Sequence, residues 1–201
     1  MSQRFSASQA GRLMQCPGSG NLDLAIPGWT PPVEDPSADT AANRGTHLHS
    51  VFASLMELRL QDQKKFFEAL AYVTELQSRR RFKKLVEIPV IADWLPSKPT
   101  TTADLVLYTQ DELHVLDLKT GRGPVAVEDN EQLMFYAATY APLAPKAEGV
   151  TVHIVQPWAD NMVSWFIDTH TLAGFMQRAK KADRAVMNKD TTLCPGDHCK
   201  F

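Results

Sequence analysis

"TTADLVLYTQDELHVLDLKTG", Thr101 to Gly121, decides how this chain is read. Two short runs of alternating and β-branched residues, 101–109 and 112–120, flank the turn-prone "QDE" and predict two strands in succession. Side chains alternate across a strand. Asp104 therefore shares a face with Val106 and Tyr108, and Asp117 shares one with Lys119, while Leu105, Leu107, Leu116 and Leu118 point the other way. A carboxylate in so apolar a run is costly to bury without a partner or a metal. If the strands are neighbours, Asp104 and Asp117 converge at one end of a sheet, where their oxygens suit a hard divalent cation. Lys119 then stands beside that ion. The alternative is an ion pair between Asp117 and Lys119 at a strand end, with Asp104 in a turn.

On the amino side, "KLVEIPVIA" (84–92) predicts a further strand, preceded by a helix over about 63–80. "ANRGTHLHSVFASLMELRL" carries apolar residues at 48, 51, 52, 55, 56 and 58, the spacing of an amphipathic helix. Residues 22–42, with Pro27, Pro31, Pro32 and Pro36, predict an irregular loop. On the carboxyl side, "DNEQLMFYAATYA" (129–141) predicts a helix capped by Asp129. Strands over 149–157 and 161–168 follow, then a helix over about 170–188 that leads into "TTLCPGDHCKF". Helix, three strands, helix, strand describes an α/β (α+β) fold, a mixed sheet flanked by helices on both sides.

The 201 residues, 44% hydrophobic and 22% charged, are expected to form a single domain over 1–201. A net charge of −2 gives no global case for a nucleic-acid partner, so that case rests on local clusters. "SRRRFKK" holds Arg79, Arg80, Arg81, Lys83 and Lys84, and "QRAKKADR" holds Arg178, Lys180, Lys181 and Arg184; taken alone, either is better explained as a solvated helix face. No apolar run approaches the ~20 residues that span a bilayer, and the first residues lack a secretory pattern, so an intracellular protein is expected. Cys16, Cys194 and Cys199 are an odd count for a disulfide framework and point to free thiols or metal ligation.

"TTADLVLY…HVLDLKTG" resembles the core signature of the PD-(D/E)xK nuclease superfamily, with Asp104 on its first Asp and Asp117-Leu118-Lys119 on its (D/E)-x-K. "RGTHLH" resembles the G-T-x-x-H helix start of RecB-type nucleases: Gly45 and Thr46 match, and His49 falls on the metal-ligating histidine. His47 has the wrong spacing. From the residues alone, His49 borders a stripe with Phe52 and Met56, so a core histidine is the other reading. "QLMFY" resembles the RecB-type Q-x-x-x-Y helix, whose Gln132 and Tyr136 lie on one helical face. Those residues also fit a capping box from Asp129 to Gln132 and a packed tyrosine. Glu87 in "VEIPV" occupies a strand where relatives carry an acidic residue, and an exposed strand glutamate is the alternative. The resemblance runs from about residue 5 to the end and is greatest to RecB-like nucleases of phages and prophages.

The resemblance implies a restriction-endonuclease-like core and a metal-dependent DNA nuclease, an exonuclease, acting in phage-type recombination or DNA end processing. Mg²⁺ or Mn²⁺ would be held by His49, Asp104, Asp117 and the carbonyl of Leu118, with the imidazole favouring Mn²⁺. Lys119 would orient water and offset charge, and Gln132, Tyr136 and the 79–84 cluster would contact DNA. DNA is the implied partner, with a single-strand annealing protein and a second copy of the chain as further ones, in the cytoplasm of a bacterial host. The rival reading is a DNA-binding or assembly module of the same fold without catalysis.

"FSASQAGRLMQCPGSG" resembles the amino terminus of iron–sulfur RecB-type nucleases, including CRISPR adaptation nucleases. There one early and three late cysteines, the latter spaced as C-x₂-C-x₅-C, hold a 4Fe–4S cluster. Cys16 matches the early ligand and Cys199 the first late one, and Cys194 does not fit the spacing. A cluster is therefore expected only in a longer form, with residues 190–201 a remnant of its binding tail, poorly anchored or held by packing. Zinc on Cys194, His198 and Cys199 is a third reading.

Overall fold

The computed structural model describes residues 6–28, 45, 49, 50, 53 and 64–196. Its centre is a five-stranded mixed sheet in the order β1-β4-β5-β6-β7, formed by β1 (Lys83–Val86), β4 (Leu105–Tyr108), β5 (Leu113–Leu118), β6 (Gly149–Gln156) and β7 (Asn161–Asp168). The β5–β6 pair is parallel and the other three are antiparallel. A separate ribbon pairs β2 (Val90–Ile91) with β3 (Thr100–Thr101).

Alternation along the strands divides the core in two. Leu105, Leu107, Leu116 and Leu118 meet Phe66, Ala69, Val73 and Leu76, which recur at helical spacing along α3 (Lys64–Ser78). Val106, Val115, Val152 and Ile154 face three other helices: α1 (Ala10–Gln15), α4 (Glu131–Tyr140) and α5 (Thr169–Met187). Phe135 of α4 and Phe175 of α5 are wholly buried there, each contributing about 1.5–3 kcal/mol of hydrophobic stabilisation. Helix α4 is the crossover that parallel pairing requires, and it lies over the face that carries Asp117. Among the described residues no helix is long and apolar enough to cross a membrane.

The expected strand over 84–92 is broken. Glu87 takes a left-handed φ of 50°, and Pro89 has no amide for a ladder, so the run divides between β1 and β2. The 101–109 run divides likewise between β3 and β4. Asn130, rather than Asp129, caps α4 by accepting from the Leu133 amide at 3.2 Å, because Asp129 is itself left-handed at φ 52°. The 22–42 loop opens with a short helix, α2 (Leu22–Ala25), and 29–42 lies outside the described residues. So does most of the first expected helix, of which residues 45, 49, 50 and 53 are described, all on helical backbone.

The described part of the tail is exposed but tied to the amino-terminal segment by hydrogen bonds. Gly18 donates to the Thr192 carbonyl at 3.2 Å, the Asn21 amide donates to the carbonyls of Val186 and Asp190, and the Cys194 amide meets Cys16 Sγ at 3.1 Å. A Cβ on Gly18 would fall 2.5 Å from the Thr192 oxygen, so only glycine allows this approach.

Candidate metal centre

Three neighbouring strand ends bring the acidic residues together. β1 and β4 pair Val86 with Leu105, and just beyond them the Glu87 amide donates to the Asp104 carbonyl at 3.2 Å. β4 and β5 pair Leu105 with Leu116, so the next step of that register sets Asp104 against Asp117. The amide of Leu118 donates to Asp104 Oδ2 at 2.5 Å and fixes that carboxylate. His49 brings Nδ1 to 3.3 Å from Asp104 Oδ1. One donor atom each from His49, Glu87 and Asp104 lies within 4.8 Å of the others.

Asp117 stands beside this group and faces Lys119, whose Nζ is 2.9 Å from Asp117 Oδ2. That oxygen accepts no hydrogen bond of good geometry, so the contact is Coulombic. Lys119 also donates to Gln132 Oε1 at 2.8 Å. Gln132 Nε2 in turn reaches Asp117 Oδ1 at 3.3 Å and the Tyr136 hydroxyl at 3.0 Å. One face of α4 thus closes over the strand pair Asp117–Lys119.

These groups strain against one another electrostatically. Burial pushes the Glu87 carboxyl up to about 7, and the charge on Asp104 adds to the effect. Burial also raises Asp117, opposed by Lys119 and reinforced by Asp104. The hydrogen bond to Asp104 raises His49, against the desolvation of its ring. Burial raises the Tyr136 hydroxyl, helped by the Asp117 charge. Glu87 Oε1 is buried without a hydrogen-bond partner among the described residues, and the buried Asp117 Oδ2 has only the Lys119 contact. Adjacent carboxylates with orphaned oxygens and an imidazole nitrogen fit a divalent cation, which would let all of them ionise.

The structure thus assembles His49, Asp104, Asp117, Lys119, Gln132 and Tyr136, and adds Glu87 to the candidate ligands. It does not bring Arg79 and Arg80 of the 79–84 cluster there. Arg79 pairs with Glu75, and Arg80 with Asp111 and Glu112, beside the amino end of β5. The five residues from Glu112 to Asp117 put Arg80 roughly 17 Å from the carboxylates. On α5, Lys180, Lys181 and Arg184 line an open surface cleft. Cys16 is buried beside Cys194, while His198 and Cys199 lie outside the described residues.

One element was absent from the sequence reading. Gln156, wholly buried at the end of β6, donates to the carbonyls of Gly121 at 2.9 Å and Gly123 at 2.8 Å and accepts from the Val125 amide at 3.0 Å. Asn161 donates to Gln156 Oε1 and to the Val125 carbonyl, both at 2.9 Å. A glutamine closing the apolar run "HIVQ" was the available signal.

Solved structures that resemble this chain include two that match it over nearly its whole length. A "putative exonuclease" of Eubacterium rectale shares 10% identity over 94% of this chain and 81% of its own, with a TM-score of 0.51. A protein called SSO0001 shares 14% identity over 96% of this chain and 79% of its own, at a TM-score of 0.42. The first likeness establishes a shared fold. A family model described as "Protein of unknown function (DUF2800)" matches residues 85–201, a stretch that contains every member of the centre except His49.

Proposed function

The chain belongs to the DUF2800 family, and we propose that it is a metal-dependent DNA nuclease of the PD-(D/E)xK, RecB-like type, acting as an exonuclease. The observation that carries this reading is the convergence of Glu87, Asp104 and His49 beside the Asp117–Lys119–Gln132 network at one end of the sheet. The exonuclease description of the Eubacterium rectale protein, whose fold this chain shares, favours the same chemistry. His49, Glu87 and Asp104 would hold Mg²⁺ or Mn²⁺, with Asp117 and the Leu118 carbonyl as further donors. Bound there, such an ion supplies Lewis-acid polarisation of a phosphoryl oxygen and a lowered pKa for water.

The chain's own groups have separable tasks. Lys119, fixed between Asp117 and Gln132, sets a positive charge where the attacked phosphate gains negative charge. Gln132 holds Lys119 and Asp117 at a constant spacing, and Tyr136 holds Gln132. Asp104, anchored by the Leu118 amide, cannot swing away from His49.

The test is digestion of end-labelled DNA, single- and double-stranded, linear and circular, with Mg²⁺, Mn²⁺ or a chelator. Shortening of linear DNA from its ends, dependent on the metal and absent for circles, is expected. Intact DNA under every condition, or unchanged cleavage by Asp117→Ala, would remove the reading.

A further inference from the structure

The loop that leaves the centre is built more rigidly than its sequence requires. "GRGPV", residues 121–125, follows Lys119 directly, and residues 121–124 are exposed. An exposed segment of two glycines and a proline has no packing of its own to fix it. Here the buried Gln156 side chain draws in the carbonyls of both Gly121 and Gly123 and takes the Val125 amide, and Asn161 ties Gln156 to the Val125 carbonyl. The other end of the loop is pinned where the Lys119 amide donates to the Val155 carbonyl at 3.0 Å.

Arg122 sits between the two captured carbonyls. Its peptide bond with Gly121 is trans, so its amide N–H points away from the Gly121 oxygen and hence away from Gln156. Pro124 supplies no amide that could compete. The Arg122 side chain is exposed and has no hydrogen bond or ion pair among the described residues, unlike Arg79 and Arg80. One residue three positions past Lys119 therefore offers an exposed guanidinium and a backbone amide turned away from Gln156. That combination suits a phosphate oxygen.

We propose that Arg122 holds a backbone phosphate of the DNA strand next to the one attacked, and that Gln156 is the positioning residue that fixes Arg122 for it. The proposal deepens the nuclease reading and rests on it for the identity of the strand. It assigns Arg122 to binding and leaves the reacting phosphate to Lys119 and the ligands.

The experiment is fluorescence anisotropy of a labelled single-stranded oligonucleotide with the full chain in Ca²⁺, over a range of salt, together with cleavage in Mn²⁺. Arg122→Ala is expected to weaken binding about five- to tenfold and to reduce the slope of log K against log salt by about one. In cleavage it raises KM and leaves kcat nearly unchanged. Gln156→Ala should weaken binding to a similar extent while losing only part of the Arg122 contribution to the salt slope, and the double variant should bind no worse than Arg122→Ala alone. Should Gln156→Ala fail to fold, the exposed Arg122→Ala and Arg122→Lys still decide the phosphate contact, with Lys restoring the salt slope. Unchanged affinity and slope in Arg122→Ala, or strictly additive losses in the double variant, would overturn the proposal. DNA binding that depends on Arg122 without any cleavage would leave the contact standing and remove the nuclease reading instead.

Discussion

At its amino end β5 carries His114, whose ring meets His153 at 3.0 Å and Glu112 at 2.8 Å; His153 reaches Tyr72 at 2.8 Å, and Glu112 pairs with Arg80. At its carboxyl end the same strand carries Asp117 beside Asp104 and Glu87, with Glu87 Oε1 buried without a hydrogen-bond partner among the described residues and Asp117 Oδ2 held by the Lys119 charge alone. Both ends place titratable side chains inside the fold, yet the second sets three carboxylates against one another with one lysine and one histidine to balance them. A hydrogen-bonded network like the first adds rigidity and asks for nothing more. Like charges crowded together with orphaned oxygens lower stability unless something arrives to neutralise them, and folds retain such arrangements at sites that work.

If this contrast holds, variants at the two ends will behave oppositely. Asp104→Ala, Asp117→Ala and Lys119→Ala should each reduce DNA cleavage by at least about 10²–10³-fold, measured as the initial rate of degradation. The Asp104 variant should also lose metal affinity by calorimetry, whereas Lys119→Ala should keep it. Next in size is the response to metal. Mn²⁺ at about a hundred times its Kd should raise stability by about 2.7 kcal/mol, seen as an upward shift in Tm, and Glu87→Gln or His49→Ala should largely abolish that shift. A Tm indifferent to Mn²⁺ would erase the difference between the two ends.

The amino end should reveal itself through pH. Burial, with the positive charge of neighbouring His114 and Arg79, holds His153 down to about 3, against 6.5 in the unfolded chain. The unfolded chain therefore takes up this proton first, and stability falls as pH drops from about 6.5 toward 3, with no contribution above that window. Denaturant unfolding at pH 7 and pH 4.5 should show the loss, and His153→Phe should have a shallower pH slope than the wild type. Smallest of all is Arg80→Ala, which removes only exposed ion pairs: cleavage should be unchanged and Tm should move least of the set. A large fall in cleavage there would return the 79–84 cluster to the DNA-contacting role its sequence suggested.

What could be read in advance followed from local spacing. Asp104, Asp117 and Lys119 are legible because strand alternation fixes their faces, and Gln132 and Tyr136 because a helical turn fixes theirs. Glu87 is harder, since its place depends on a left-handed residue that breaks the strand just where the ladder would have carried it elsewhere. Gln156 is harder still: its partners lie about thirty residues earlier and meet it only through parallel pairing. The arginines of 79–84 are hard to place in advance, because a run of like charge says nothing about the acids that other segments bring to it. Asp129 misled by one position, a shift that φ decides and composition does not.

The parallel pairing of β5 with β6 also sets when the centre can exist. Asp117 pairs with Ile154, and all of α4 lies between them. Closing that span costs chain entropy before any contact returns it, so such pairings form slowly and late. Gln132 reaches Asp117 and Lys119 only once α4 is packed against the completed pair. A chain still emerging from the ribosome, with the β4–β5 hairpin already formed, would hold the acidic residues but neither the glutamine that spaces them nor the mount for Arg122. The full arrangement of the candidate centre is thereby tied to a late, long-range step of folding.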